Sequence, residues 1–153
     1  MVLRLIVGLV FVALLVVAFG MHFASTEYPA LHTGLPITTI TVGSTAVLVE
    51  VASTDFERQQ GLSGRDELKG GSGMLFVFDT EGAWGIWMKD MHFALDIIWA
   101  DSAGTVVTVA HDVTPNTYPQ AFYPGTPARY VLEVPTGFAA THGIAEGSKL
   151  VVQ

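Results

Sequence analysis

The chain contains no cysteine, and that absence removes thiol nucleophiles, thiolate metal sites and stapling disulfides at once. Disulfides are permitted outside the cytoplasm without being obligatory there, so the redox compartment stays open. Nor are staples needed: the roughly 125 residues that follow an apolar N-terminal segment bury about two thirds of their unfolded surface on folding. Positive charge is also scarce, with seven lysines and arginines against fourteen carboxylates and a net charge of −7. Beyond the N-terminal segment the cations are Arg58, Arg65, Lys69, Lys89, Arg129 and Lys149. A phosphate backbone would be repelled more than attracted, which argues against a nucleic-acid partner.

Other familiar chemistries are missing too. His92, His111 and His142 are scattered, His22 and His32 precede the domain, and no H-x-H or H-E-x-x-H spacing occurs, so no metal is expected. His111-Asp112 is the one adjacent donor pair. Gly61-Leu62-Ser63-Gly64 lacks the spacing of a nucleophile elbow. With no phosphate loop and no dinucleotide fingerprint, no cofactor is expected either.

What is present begins with a greasy run. Leu5 to Ala24 reads LIVGLVFVALLVVAFGMHFA, free of acids and fixed positive charge. About twenty helical residues at ~1.5 Å each cover a ~30 Å hydrocarbon core, so residues 1–24 form a transmembrane anchor or a signal segment. Arg4 before the run and Glu27 after it place the N-terminus in the cytoplasm and the remainder across the membrane. Cleavage after Gly20, permitted by Ala18 and Gly20, would instead release the chain. Both readings export the domain, held by its helix or secreted. Residues 25–36, with Pro29, Gly34 and Pro36, read as a linker, and residues 37–153 as one domain.

Within the domain, residues 37–51 alternate around Gly43-Ser44 as a hairpin. Thr54 and Glu57 then form a capping box for a short helix, DFERQQ, and Gly61 suits a left-handed stop. Met74–Phe78 and Leu95–Ala100 read as strands buried on both faces, the latter interrupted by Asp96. Asp101-Ser102-Ala103-Gly104 turns the chain into Thr105–Ala110 as a second hairpin. A long Pro-rich loop spans 111–127, of the kind usually functional or mobile. Ala128–Val134, a helical turn ending near Gly143, and the C-terminal KLVVQ complete the pass. The expected fold is mainly β: a single small β-barrel-like domain of seven or eight strands with two short helices, a closed barrel or a sandwich.

Several blocks in one order carry a resemblance: Arg58-Gln59-Gln60-Gly61-Leu62-Ser63-Gly64-Arg65, Gly73-Met74-Leu75-Phe76-Val77-Phe78, Trp87-Met88-Lys89-Asp90 with Leu95-Asp96-Ile97-Ile98, and Arg129-Tyr130-Val131-Leu132-Glu133. They resemble the DUF192 family of small bacterial and archaeal proteins over about residues 38–153. The resemblance implies a compact β-barrel, often behind a signal peptide or membrane anchor, and no established activity. The chain departs from the family pattern at Asp90 and Met91, where the family reads Asn-Thr, and at Ala94, where it has proline. Any contact that the family asparagine makes falls here to the carboxylate of Asp90.

The candidate ligand-binding residues are Arg65, Trp87, Lys89, Asp96, Arg129 and Glu133. Alternation places Trp87 beside Lys89 on one face, and a lysine beside an aromatic suits an anionic or sugar-like ligand in a barrel mouth. Asp96, a carboxylate among aliphatics, requires a partner: Lys89, Arg65, Arg129, or backbone N–H groups in a purely structural role. Arg129 and Glu133 share a strand face about 13 Å apart, too far to pair directly, and line either a cleft or a solvated surface. Trp84, Trp87, Phe93 and Trp99 form either a sugar-stacking surface or core, and Met74, Met88 and Met91 read as core. No catalytic set is complete. The leading expectation is therefore an accessory or small-ligand-binding protein of the cell envelope. One rival is an envelope hydrolase using Asp96 and Glu133 as acid and base, which requires their carboxyls to converge within roughly 5–10 Å. The other is a structural module binding an envelope protein, which predicts no deep pocket.

Overall fold

The computed structural model describes residues 34–152, so the anchor or signal segment and most of the linker lie outside the described residues. Among the described residues no helix is long and apolar enough to cross a membrane.

The chain opens with β1 (Ile37–Val42) and β2 (Thr45–Ala52), the expected hairpin. Helix α1 (Asp55–Gln60) follows, and its capping box forms in full: Thr54 accepts from the Glu57 N–H while the Glu57 carboxylate accepts from the Thr54 N–H. Gly61 ends it at φ 47° and ψ −132°, a positive φ outside the left-handed helical well. β3 (Ser72–Gly82) is longer than the expected strand. The short β4 (Ile86–Trp87), then β5 (Leu95–Ala100) and β6 (Val106–Val113), come next. The Pro-rich loop is partly ordered by a 3₁₀ turn (Pro115–Thr117) and by β7 (Ala121–Phe122), which pairs with β4. β8 (Ala128–Pro135), α2 (Phe138–Thr141) and β9 (Leu150–Val152) complete the chain.

Seven strands form one sheet in the order β6-β5-β8-β3-β2-β1-β9, antiparallel except for the β2–β3 pair. The sheet is neither a sandwich nor fully closed; it curls into a half-barrel whose edges meet at a bridge between Thr105 and Lys149. Gly104 makes that meeting possible. Its φ is +72°, and a Cβ there would sit 2.2 Å from the Leu150 carbonyl oxygen, which accepts no such crowding.

Two hydrophobic clusters explain why the central strands are apolar on both faces. One joins Ile40, Val42 and Leu150 to Ile98, Val106 and Leu132, residues from opposite ends of the sheet, so it fills the inside of the curl. The other lies on the outer face, where Met74, Phe76, Ile97, Trp99 and Val131 are covered by Leu62, Ile86, Met88 and Met91. The covering layer is the chain from α1 through the 61–71 loop, together with the β4 region. The space between that layer and the sheet holds the site.

Candidate functional site

The outer face of the sheet carries two carboxylates in one row. Glu50 on β2 aligns with Met74 on β3, which aligns with Glu133 on β8. Both acids are buried, at 1% and 5% exposure. Their surroundings differ. Arg65, from the loop after α1, grips Glu50 with both arms of its guanidinium at 2.5 and 2.9 Å, the bidentate geometry that makes such pairs strong. Among the described residues no hydrogen bond reaches Glu133. Burial pushes its carboxyl up to about 8, with the nearby Arg65 charge partly opposing the shift, so the group is neutral at pH 7.

Glu133 lies in a cavity of about 60 Å³ whose wall includes Gln59, Gln60, Ser63, Phe76, Ile86, Trp87 and Met91. The cavity adjoins a more open space of about 270 Å³ bounded by Asp55, Arg58, Phe78, Trp84 and Trp87. They share Arg58, Gln59, Phe76, Gly85, Ile86 and Trp87, so they form one cleft with a narrow end.

The walls are set firmly. Arg58 donates to the carbonyls of Ser53 and, at 2.7 Å, Val77, pairs with Asp55, and lies 4.9 Å from the centre of the Phe78 ring. Trp84 stacks on Phe78 at 4.2 Å, and the Trp84 carbonyl accepts from the buried Trp99 indole at 2.9 Å. Trp87 is 51% exposed, with Tyr118 edge-on at 5.8 Å and the Lys89 ammonium 5.9 Å from its ring. Ser63 and Gly64 latch the loop to the β4 region through the Lys89 and Asp90 carbonyls.

Of the residues singled out from sequence, the fold brings together Glu133, Trp87 and, behind them, Arg65 and Lys89. Two lie elsewhere. Asp96 is aligned with Val134, on the opposite face of the sheet from Glu133. There its carboxylate accepts from the Asp112 N–H and from the Ala139 N–H in the first turn of α2, both at 2.9 Å. Its hydrogen-bond partners are backbone donors, the structural alternative raised above, and the His111 ring nitrogen lies 4.0 Å from it. Arg129 is turned to the β3–β8 bulge, donating to the Phe78 carbonyl at 3.1 Å. The cleft is also not a barrel mouth; it opens on the outer face. An acid and base pair of Asp96 and Glu133 is ruled out, because a sheet stands between them. Of the Trp84, Trp87, Phe93 and Trp99 set, Trp99 is core and only Trp87 is largely exposed.

Sequence reasoning missed Glu50, Arg58 and Gln59. Arg58 and Gln59 lay within the motif block that carried the resemblance, which was the available signal. Glu50 read as the polar side of an alternating strand, and nothing local marks that side as covered.

Among the described residues no group of three or more His, Asp or Glu side chains is placed to hold a metal ion.

These features define a class: small curled-sheet domains with a carboxyl-floored cleft under a covering loop. The chain belongs to the DUF192 family, described as Uncharacterized ACR, whose model matches residues 38–152. It is similar to a solved protein of unknown function from Novosphingobium aromaticivorans DSM 12444, at 31% identity and TM-score 0.73, over 80% of this chain and 89% of that one. It is also similar to a structure from Sinorhizobium meliloti 1021 described as a candidate transcription regulator, at 26% identity and TM-score 0.74, over 78% and 96%. No functionally curated protein matches it.

Proposed function

We propose that the chain is an extracytoplasmic, membrane-anchored accessory protein of the cell envelope whose half-barrel binds a small ligand in the cleft between Glu133 and Trp87. The observation that carries this reading is Glu133 itself. Buried polar groups are ordinarily hydrogen-bonded, as Glu50 and Asp96 are, whereas Glu133, with no hydrogen bond among the described residues, keeps its carboxyl open to the cavity, where a ligand can meet it. A purely structural module gives no reason for that cleft. The regulator description of the S. meliloti structure is not carried over, since a net charge of −7 disfavours nucleic acid.

The export half of the reading rests on Leu5–Ala24 and Arg4. The full chain should fractionate with membranes and expose residues 37–153 to protease added from outside. Recovery in the cytosol would defeat it. For the binding half, the full chain in detergent is melted against sugars, nucleotides, envelope peptides, anions and divalent metals. A ligand at 100 times its Kd should stabilise the fold by ~2.7 kcal/mol, and a flat panel would sink the ligand site.

A further inference from the structure

We infer that the cleft takes one neutral, hydroxyl-rich ring, a pyranose either free or at the end of a glycan, with its apolar face against Trp87 and one hydroxyl-bearing arm against the Glu133 carboxyl. This rests on the ligand-binding reading above and narrows it to one chemistry.

Size comes first. The outer space of about 270 Å³ lies just under the ~300–1,000 Å³ of sites for drug-sized ligands, so it suits a single ring. The narrow end, about 60 Å³, has room for a hydroxymethyl-sized group, given that one water needs ~10–15 Å³.

Charge then decides the class. The guanidiniums are already balanced, Arg58 by Asp55, which lines the same outer space, and Arg65, near Glu133, by Glu50, so a cation gains no carboxylate that is not already engaged by an arginine except the protonated Glu133. An anion would find Arg58 committed to Asp55 and two carbonyls and Arg65 to Glu50, while Lys89, though 5.9 Å from the Trp87 ring, is not part of the lining of either space. Of the other polar side chains in the wall, Gln60 and Ser63 donate to the Ser63 and Lys89 carbonyls and keep an acceptor, while the Gln59 amide and the Glu133 carboxyl can each donate and accept when neutral. A hydroxyl does the same. Glu133 is buried, has no hydrogen bond among the described residues and lines the cavity, so it is the fixed point that a sugar hydroxyl would meet. Trp87 supplies a half-exposed apolar face at the junction of both spaces, its ring braced by Tyr118.

The test is calorimetry, with tryptophan fluorescence alongside, on the full chain in a detergent without a sugar headgroup. The probes are methyl β-D-glucopyranoside, N-acetylglucosamine and its trimer, set against butylamine and acetate. Saturable binding of a pyranose is expected, at least tenfold weaker in Trp87→Ala and in Glu133→Leu, with both variants checked for an intact melt. Glu133→Gln, which keeps donor and acceptor, should retain most of the affinity and so separates hydrogen bonding from packing. Binding by the trimer alone would identify a chain end as the ligand, and binding by monosaccharides a free sugar. Glu133-dependent binding of butylamine or acetate without sugars would overturn the pyranose and leave the ligand site standing. Silence from all five probes on folded protein, together with a flat melting panel, would remove both.

Discussion

Glu50 and Glu133 project from the same face of the sheet in one row, with Met74 between them, yet among the described residues the Arg65 guanidinium hydrogen-bonds Glu50 and not Glu133. That asymmetry divides two similar acids into a fixed ion pair and a neutral carboxyl facing a cavity.

Glu133 gives the fold a pH dependence of definite sign. Its folded pKa is about 8 against an ordinary value of 4.5, so between those values the folded chain holds a proton that the unfolded chain has released. Stability is then full below about pH 4.5, falls as pH rises, and levels off above about pH 8, a loss on the order of a few kcal/mol. Urea midpoints measured from pH 5 to 9 should decline in the native chain and decline much less in Glu133→Gln. Equal slopes would contradict the assignment.

Removing Arg65 should be costly, because it takes two guanidinium hydrogen bonds from the buried Glu50 carboxylate. Arg65→Ala is expected to lose about 3–5 kcal/mol in chemical denaturation, the usual cost of breaking one side of a buried pair. Since Arg65 also lowers the Glu133 pKa, that pKa should rise further in the variant, visible in carboxyl-carbon NMR titration. An unchanged Glu133 titration would mean the two do not sense each other.

Asp96→Asn should destabilise without touching binding. One of the two backbone N–H groups, of Asp112 or Ala139, would face an amide NH₂ in place of an acceptor, costing about 1–3 kcal/mol. Titrations of whichever ligand binds the native chain should give the same Kd. A selective loss of binding at unchanged stability would reverse the structural assignment.

Gly104→Ala tests the meeting of the sheet edges. The positive φ and the 2.2 Å approach to the Leu150 carbonyl leave no place for a methyl group, so a loss of at least about 2 kcal/mol is expected. Hydrogen exchange should show the Leu150 amide, which donates to the Gly104 carbonyl, losing protection first.

Much of the fold was readable along the chain because the signals were local. The hairpin at Gly43-Ser44 and the capping box at Thr54 and Glu57 depend on neighbours within a few residues, and both formed as the sequence implied. The apolar run Leu95–Ala100 coincided with β5 residue for residue. Alternation along a strand was expected to place Lys89 beside Trp87, but β4 ends at Trp87 and it is the following turn that brings the Lys89 ammonium 5.9 Å from the ring; Glu133 was singled out, though with Asp96 as its partner.

The errors share one physical cause. Period-two alternation says which residues share a face but not which face is covered, and here both are. Glu50, set on what looked like a polar side, is buried beneath the loop that carries Arg65. Asp96 and Glu133, both acids in apolar strands, are separated by the sheet, which no spacing along the chain reveals. The amino-acid sequence by itself determined most strands of the main sheet, the capped helix, the acidic charge and the family. Tertiary structure alone decided which acid was paired and which was left facing a cavity, because that depends on how the covering loop lies across the sheet, a contact between residues distant in the chain.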